Sequence, residues 1–105
     1  MNKYRLKYYP DQIFEANNYQ FGMEDGFLNK EKGLLAPRGT YPTIRDYGEI
    51  QRNNGFYGSW IPYINTEDEK RIYLDSDDII GFFNGNKYRF TEKEFYEFFI
   101  PYEEE

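Results

Sequence analysis

Histidine and cysteine are both missing from this chain of 105 residues, and each absence closes off a line of chemistry. Histidine is the side chain that titrates near neutrality unaided. Thiolates are the strongest protein nucleophiles and the soft ligands of zinc. Without either, the composition disfavours turnover and favours contact. Also missing is any run of about 18 apolar residues, the length a membrane helix needs. The N-terminus opens on Lys3, Arg5 and Lys7 with no apolar signal core. The expectation is a soluble, cytoplasmic protein, and zero cysteines fit a reducing compartment.

What the chain does have is aromatic: 12 Tyr, 10 Phe and 1 Trp. Its length is that of one domain, residues 1–105, with room for a single modest core. Twelve tyrosines cannot all enter that core, because every buried hydroxyl needs a hydrogen-bond partner. Several are therefore expected at the surface. The net charge of −6 is uneven: residues 1–65 carry 8 basic and 7 acidic side chains, residues 66–105 carry 5 and 12. Such a field repels phosphate backbones and draws basic surfaces, so no direct nucleic-acid binding is expected and a basic protein partner is. Glu67, Asp68 and Glu69 read as a solvated turn, and Glu103, Glu104 and Glu105 as a frayed tail.

Local patterns give an α+β fold: a small, mostly antiparallel sheet built from hairpins, with a short C-terminal helix on one face. Lys3 to Tyr8 alternates cationic and apolar side chains, a half-buried strand with Tyr4, Leu6 and Tyr8 on one face. Pro10 and Asp11 interrupt it, and Ile13 to Ala16 resumes. Residues 17–42 have no clean period and are punctuated by six Gly and Pro residues, which predicts a long loop with at most a helical turn around Met23 to Leu28. Thr43 to Gln51 and Phe56 to Ile64 flank Asn53, Asn54 and Gly55, so a β-hairpin is expected there. Gly58 and Pro62 mark its second arm as an edge or bulged strand.

The final third has the clearest signals. Arg71 to Asp75 reads as a strand with Ile72 and Leu74 inward, Asp77 and Asp78 as a turn, and Ile79 to Phe83 as a strand reversed by Asn84-Gly85 into Asn86 to Phe90. Thr91 with Glu94 three residues on makes a capping box that starts a helix through Phe99. Phe95, Phe98 and Phe99 are then expected to pack on the sheet, and Ile100-Pro101 to end the helix.

These residues carry a resemblance. The opening Lys3-Tyr4-Arg5 with Glu15-Ala16, the ending Asp77-Asp78-Ile79-Ile80 with Gly81, Gly85, Tyr88, Phe95 and Tyr102, and Trp60-Ile61 before it resemble a family of small phage and prophage proteins of uncharacterised function. Asp77 departs from that family's usual glycine, and Asn17 to Tyr19 stand where an aromatic often follows Glu-Ala. YopX-type phage proteins share a similar Tyr-x-x-x-Asp-Ile-Ile stretch. The resemblance covers roughly half the chain and implies a fold and a mobile-element origin, in a bacterial host, more than an activity.

No cofactor, metal or catalytic residue is expected. Asp75, Asp77 and Asp78 begin like a calcium loop, but its sixth position is Ile80 and its twelfth Asn86 in place of Gly and Glu. Gly33 to Gly39 lacks the Lys-Ser/Thr ending of a phosphate loop. Candidate contact residues are Arg45, Arg52, Tyr57, Trp60, Tyr63, Asp77 and Asp78, since Arg beside Tyr and Trp is the composition of binding hot spots; Trp60 fits a core anchor as well as a contact surface. The expected role is a phage accessory protein that binds a host or defence protein stoichiometrically. Alternatives are a nucleotide or small-molecule binder using Arg45, Arg52, Tyr57 and Trp60, an acidic inhibitor of a basic nuclease, and a virion component.

Overall fold

The computed structural model describes residues 2–9, 11–40 and 42–102. Pro10 and the Glu103 to Glu105 tail, each given a role above, lie outside the described residues. Nine strands and two short helices make an α+β fold of antiparallel sheets among those residues. The chain divides into two compact units: one from residues 1–19 with 77–105, the other from residues 20–76.

The first unit holds a five-stranded sheet. The strands β1 (Asn2–Leu6) and β2 (Ile13–Asn18) form the N-terminal hairpin, paired Tyr4 to Phe14 and Lys3 to Glu15. Further along the chain lie β7 (Ile79–Phe83), β8 (Asn86–Phe90), α2 (Glu92–Phe98) and β9 (Phe99–Pro101). In space the order is β8-β7-β2-β1-β9, so both ends of the chain build one sheet. Asn84 (φ 51°) and Gly85 (φ 78°) supply the two positive-φ residues of the expected two-residue turn. Period-two alternation puts Tyr4, Leu6, Phe14 and Ala16 on one face, where Phe95 of α2 and Phe99 close over them. Phe95 and Phe99 stack at 4.6 Å, and Tyr4 meets Phe95 edge-on at 4.7 Å. Each such pair contributes roughly 0.5–1.5 kcal/mol beyond its area.

Two expectations fail in this unit. Tyr8 lies past the end of β1 and is exposed, because the strand stops at Leu6 and the chain turns through a Tyr9 amide bond to the Leu6 carbonyl. Phe98 faces solvent: the helix ends there, and Phe99 leaves it to pair with Leu6 in β9. The capping box is as expected. The Thr91 hydroxyl accepts from the Glu94 amide at 3.2 Å and donates to the Glu94 carboxylate at 2.8 Å. That hydroxyl bond, then the one from the Thr91 amide, holds the Glu94 carboxyl below its ordinary value. The stabilisation from Glu94 is therefore complete above the usual glutamate range and fades as pH falls through the lowered folded-state pKa. Thr91→Ala is expected to cost about 1 kcal/mol near neutrality. In urea titrations its deficit against the wild type should shrink as the pH drops; a pH-independent deficit would contradict the carboxylate's part.

The second unit corrects the middle of the chain. Residues 17–42 are not a loop: β2 runs on to Asn18, and β3 (Gly26–Asn29) and β4 (Leu34–Pro37) form a hairpin. Each strand is four residues long, too short to show a period. The segment read as the first arm of a hairpin is helix α1 (Ile44–Arg52), capped by Thr43, whose hydroxyl accepts from the Asp46 amide. The Asn-Gly signal serves the helix end: Asn54 (φ 51°) donates to the Gln51 carbonyl and Gly55 to the Ile50 carbonyl, the paired bonds of a Schellman motif. Then come β5 (Trp60–Asn65) and β6 (Arg71–Tyr73), giving the order β4-β3-β5-β6. So β5 is an inner strand, contrary to expectation. Pro62 is tolerated because its carbonyl accepts from Leu74, one residue past the end of β6, so its missing amide proton falls where that ladder has stopped. Phe27, Ile50, Ile64 and Leu74 make the core, and Phe21 joins helix to sheet by stacking on Phe27 and meeting Tyr47 edge-on.

Candidate functional site

The contact residues named from the sequence are divided between the two units. Asp77 and Asp78 belong to the first unit, and the other five to the second. Arg45 and Arg52 are exposed, seven residues apart on α1 and so on one stripe of the helix; Arg52 is ion-paired with Glu49. Tyr57 is partly exposed and bridges to Trp60, which is half-buried where β5 begins. Tyr63 is only 3% exposed, with Arg71 5.4 Å above its ring. Burial pushes the Tyr63 phenol up; Arg71 opposes this and Asp25 adds to it. Asp77 is exposed, whereas Asp78 is 2% exposed and holds Arg89 through Oδ2 to Nε at 2.8 Å and Oδ1 to Nη2 at 3.3 Å. That is the geometry of a structural ion pair inside a sheet.

Two features of the first unit escaped the sequence. The first is an aromatic end. The Lys7 amide donates to the Phe98 carbonyl at 3.0 Å, tying the β1–β2 connection to the last turn of α2. Around that junction Tyr8 (79%), Tyr9 (67%) and Phe98 (48%) are exposed. Glu97 immediately precedes Phe98 in the last turn of α2, whereas the Glu94 carboxylate is turned back to Thr91 at the other end of the helix. Tyr96 is also exposed, but its hydroxyl is hydrogen-bonded with Tyr4; burial first and then Tyr4 raise its pKa.

The second feature is a half-open cavity of about 230 Å³ between the sheet and α2. Its floor is the cross-strand pair Ala16 and Gly81, with Tyr88 opposite Gly81 on the far side. Its walls are Phe14, Phe83, Phe90 and Phe99. The other sheet face carries a shallower hollow of about 370 Å³ over Ile13, Glu15, Phe82 and the Asn84-Gly85 turn.

The unit's charge is also milder than the sequence halves suggest. The strand bearing Lys3, Arg5 and Lys7 joins the acidic C-terminal segment, giving 6 basic and 10 acidic side chains in one unit. Lys3 sits directly across from Glu15. Among the described residues no group of three or more acidic side chains is arranged to hold a metal ion, and no helix is long and apolar enough to cross a membrane. Compared with protein-family models, curated proteins and solved structures, the chain matches none.

Proposed function

We propose that this is a non-catalytic accessory protein of a phage or prophage, acting in the host cytoplasm by stoichiometric binding to a host or defence protein. The observation that supports the reading most is the aromatic end of the first unit. Tyr8, Tyr9 and Phe98 expose large aromatic surface, and aromatic side chains dominate the energetics of protein interfaces. The lack of His and Cys and the resemblance of Lys3-Tyr4-Arg5 and the Asp77 to Tyr102 pattern to phage proteins support it further. A basic partner suits the net charge of −6.

The test is capture from a bacterial host lysate with tagged protein at low and high salt, compared with the Tyr8→Ser/Tyr9→Ser variant. Both residues are exposed, so the variant should melt within about 0.5 kcal/mol of the wild type. One partner retained by the wild type, lost in the variant and weakened by salt is the expected result. A partner bound equally by both would move the interface elsewhere; no partner at either salt would end the proposal.

A further inference from the structure

The cavity over Ala16 and Gly81 exists for a reason that can be traced to the sequence. Every other position around it is a ring, while its two floor residues are the smallest in the sheet and sit directly across from one another. The rings cannot collapse into the gap. Phe14 is held against Phe83 at 4.6 Å and Phe99 at 5.3 Å, and Phe90 against Phe99 at 5.4 Å and Phe95 at 5.7 Å. Phe90 already lies 3.0 Å from where a Gly81 side chain would begin. The gap is thus bordered by a run of mutually braced rings from Phe83 through Phe14 and Phe99 to Phe90 and Phe95.

Its lining is almost wholly carbon. Water needs two to four polar partners to settle in such a place, and a charged group would lose its hydration without compensation. An apolar void of about 150 Å³ accommodates benzene, so about 230 Å³ has room for one ring with substituents or two fused rings. The walls offer edges and faces at several angles, which suits edge-to-face and offset contact with a flat guest.

We propose that this cavity is a binding site for a small uncharged aromatic molecule of one or two rings. The site is independent of the aromatic end at Tyr8, Tyr9 and Phe98, so either can fail without the other. It also differs from the Arg45, Arg52, Tyr57 and Trp60 neighbourhood considered for a nucleotide, because it carries no cation to meet a phosphate.

The probes are toluene and indole, with benzoate as the charged comparison, titrated into the full chain and followed by amide and methyl NMR shifts. Saturable 1:1 binding of a neutral probe is expected, with shifts centred on Ala16, Gly81 and Phe90, and at least tenfold weaker binding of benzoate. Ala16→Leu, which fills the floor, should weaken the neutral probes at least tenfold. Shifts centred on Tyr8, Tyr9 and Phe98, equal affinity for benzoate, or no saturation by either neutral probe would each overturn the assignment. So would unchanged binding in a folded Ala16→Leu variant. Should that variant fail to fold, the shift map on the wild type decides.

Discussion

Gly26→Ala lowers the stability of the second unit by about 3 kcal/mol, the upper part of the range for overpacking a tight interior, and Tm falls by at least roughly 10 °C. Gly26 is buried in an inner strand between β4 and β5. An added methyl carbon would run into the Tyr63 hydroxyl, lie 2.6 Å from that residue's Cζ and 2.7 Å from the Ala36 carbonyl oxygen. One obstacle is backbone and the other is a ring with 3% exposure, so neither can swing away. Trp60, the single tryptophan, begins the paired strand β5 and makes urea unfolding of this unit readable by fluorescence. Gly48→Ala is the contrasting experiment. That glycine is inside α1, and its nearest neighbour would be an Arg52 guanidinium nitrogen at 3.6 Å. There the same methyl should stabilise, by roughly 0.5–1 kcal/mol, through the helix propensity of alanine. Two glycines shifting stability in the same direction would contradict the packing argument.

Arg89→Met costs about 3 kcal/mol, because it strips the guanidinium from an Asp78 carboxylate that is 2% exposed. The pair spans from β8 to the residue before β7, and the Asp78 carbonyl also accepts from the Tyr19 amide at 2.8 Å. Replacing both members tests whether the loss is the stranded charge or the pair itself. Asp78→Leu/Arg89→Met should recover most of the single variant's deficit, since an apolar pair of similar volume is often neutral where a lone buried charge is not. Far-UV circular dichroism in urea reads both. A double variant as unstable as the single one would mean that the remaining contacts of Asp78, rather than its charge, carry the effect.

How far the sequence discloses this molecule depends on whether the controlling signal is local. The run from Ile79 to Glu94 was readable because each step has its own chemistry: alternation, a two-residue Asn-Gly turn, then Thr91 and Glu94 as reciprocal caps. Asn54-Gly55 shows why the same letters misled elsewhere. Asn54 and Asn84 share a φ of 51°, so the backbone requirement is one and the same, and only the flanking hydrogen bonds decide between hairpin and helix end. In α1 the decisive signals are the Thr43 cap and the covered pair Tyr47 and Ile50 three residues apart, hidden among residues equally at home in a strand, while Ile44 is exposed. Phe98 was misplaced because β9 is pulled out of the helix by pairing with β1, a partner from the other end of the chain. The cavity was invisible for a similar reason. Its floor needs Ala16 and Gly81 to be neighbours, and no local window contains both. The dipeptide Tyr8-Tyr9 next to a proline could have flagged the aromatic end, since a strand cannot bury both of two consecutive rings on one face.

The order of the strands has a consequence for the birth of the molecule. Residues 20–76 leave the first sheet after Tyr19 and return at Asp77, and the Tyr19 amide meets the Asp78 carbonyl where the chain comes back. During synthesis the β1–β2 hairpin must therefore emerge with both long sides unpaired and wait until the whole intervening segment has been made before β7 can dock on β2 and β9 on β1. The contiguous second unit can form while the hairpin waits, and the lengthy detour adds only a slowly growing closure entropy once it is compact. The first sheet, with its cavity and aromatic end, is thus the last part of the protein to mature.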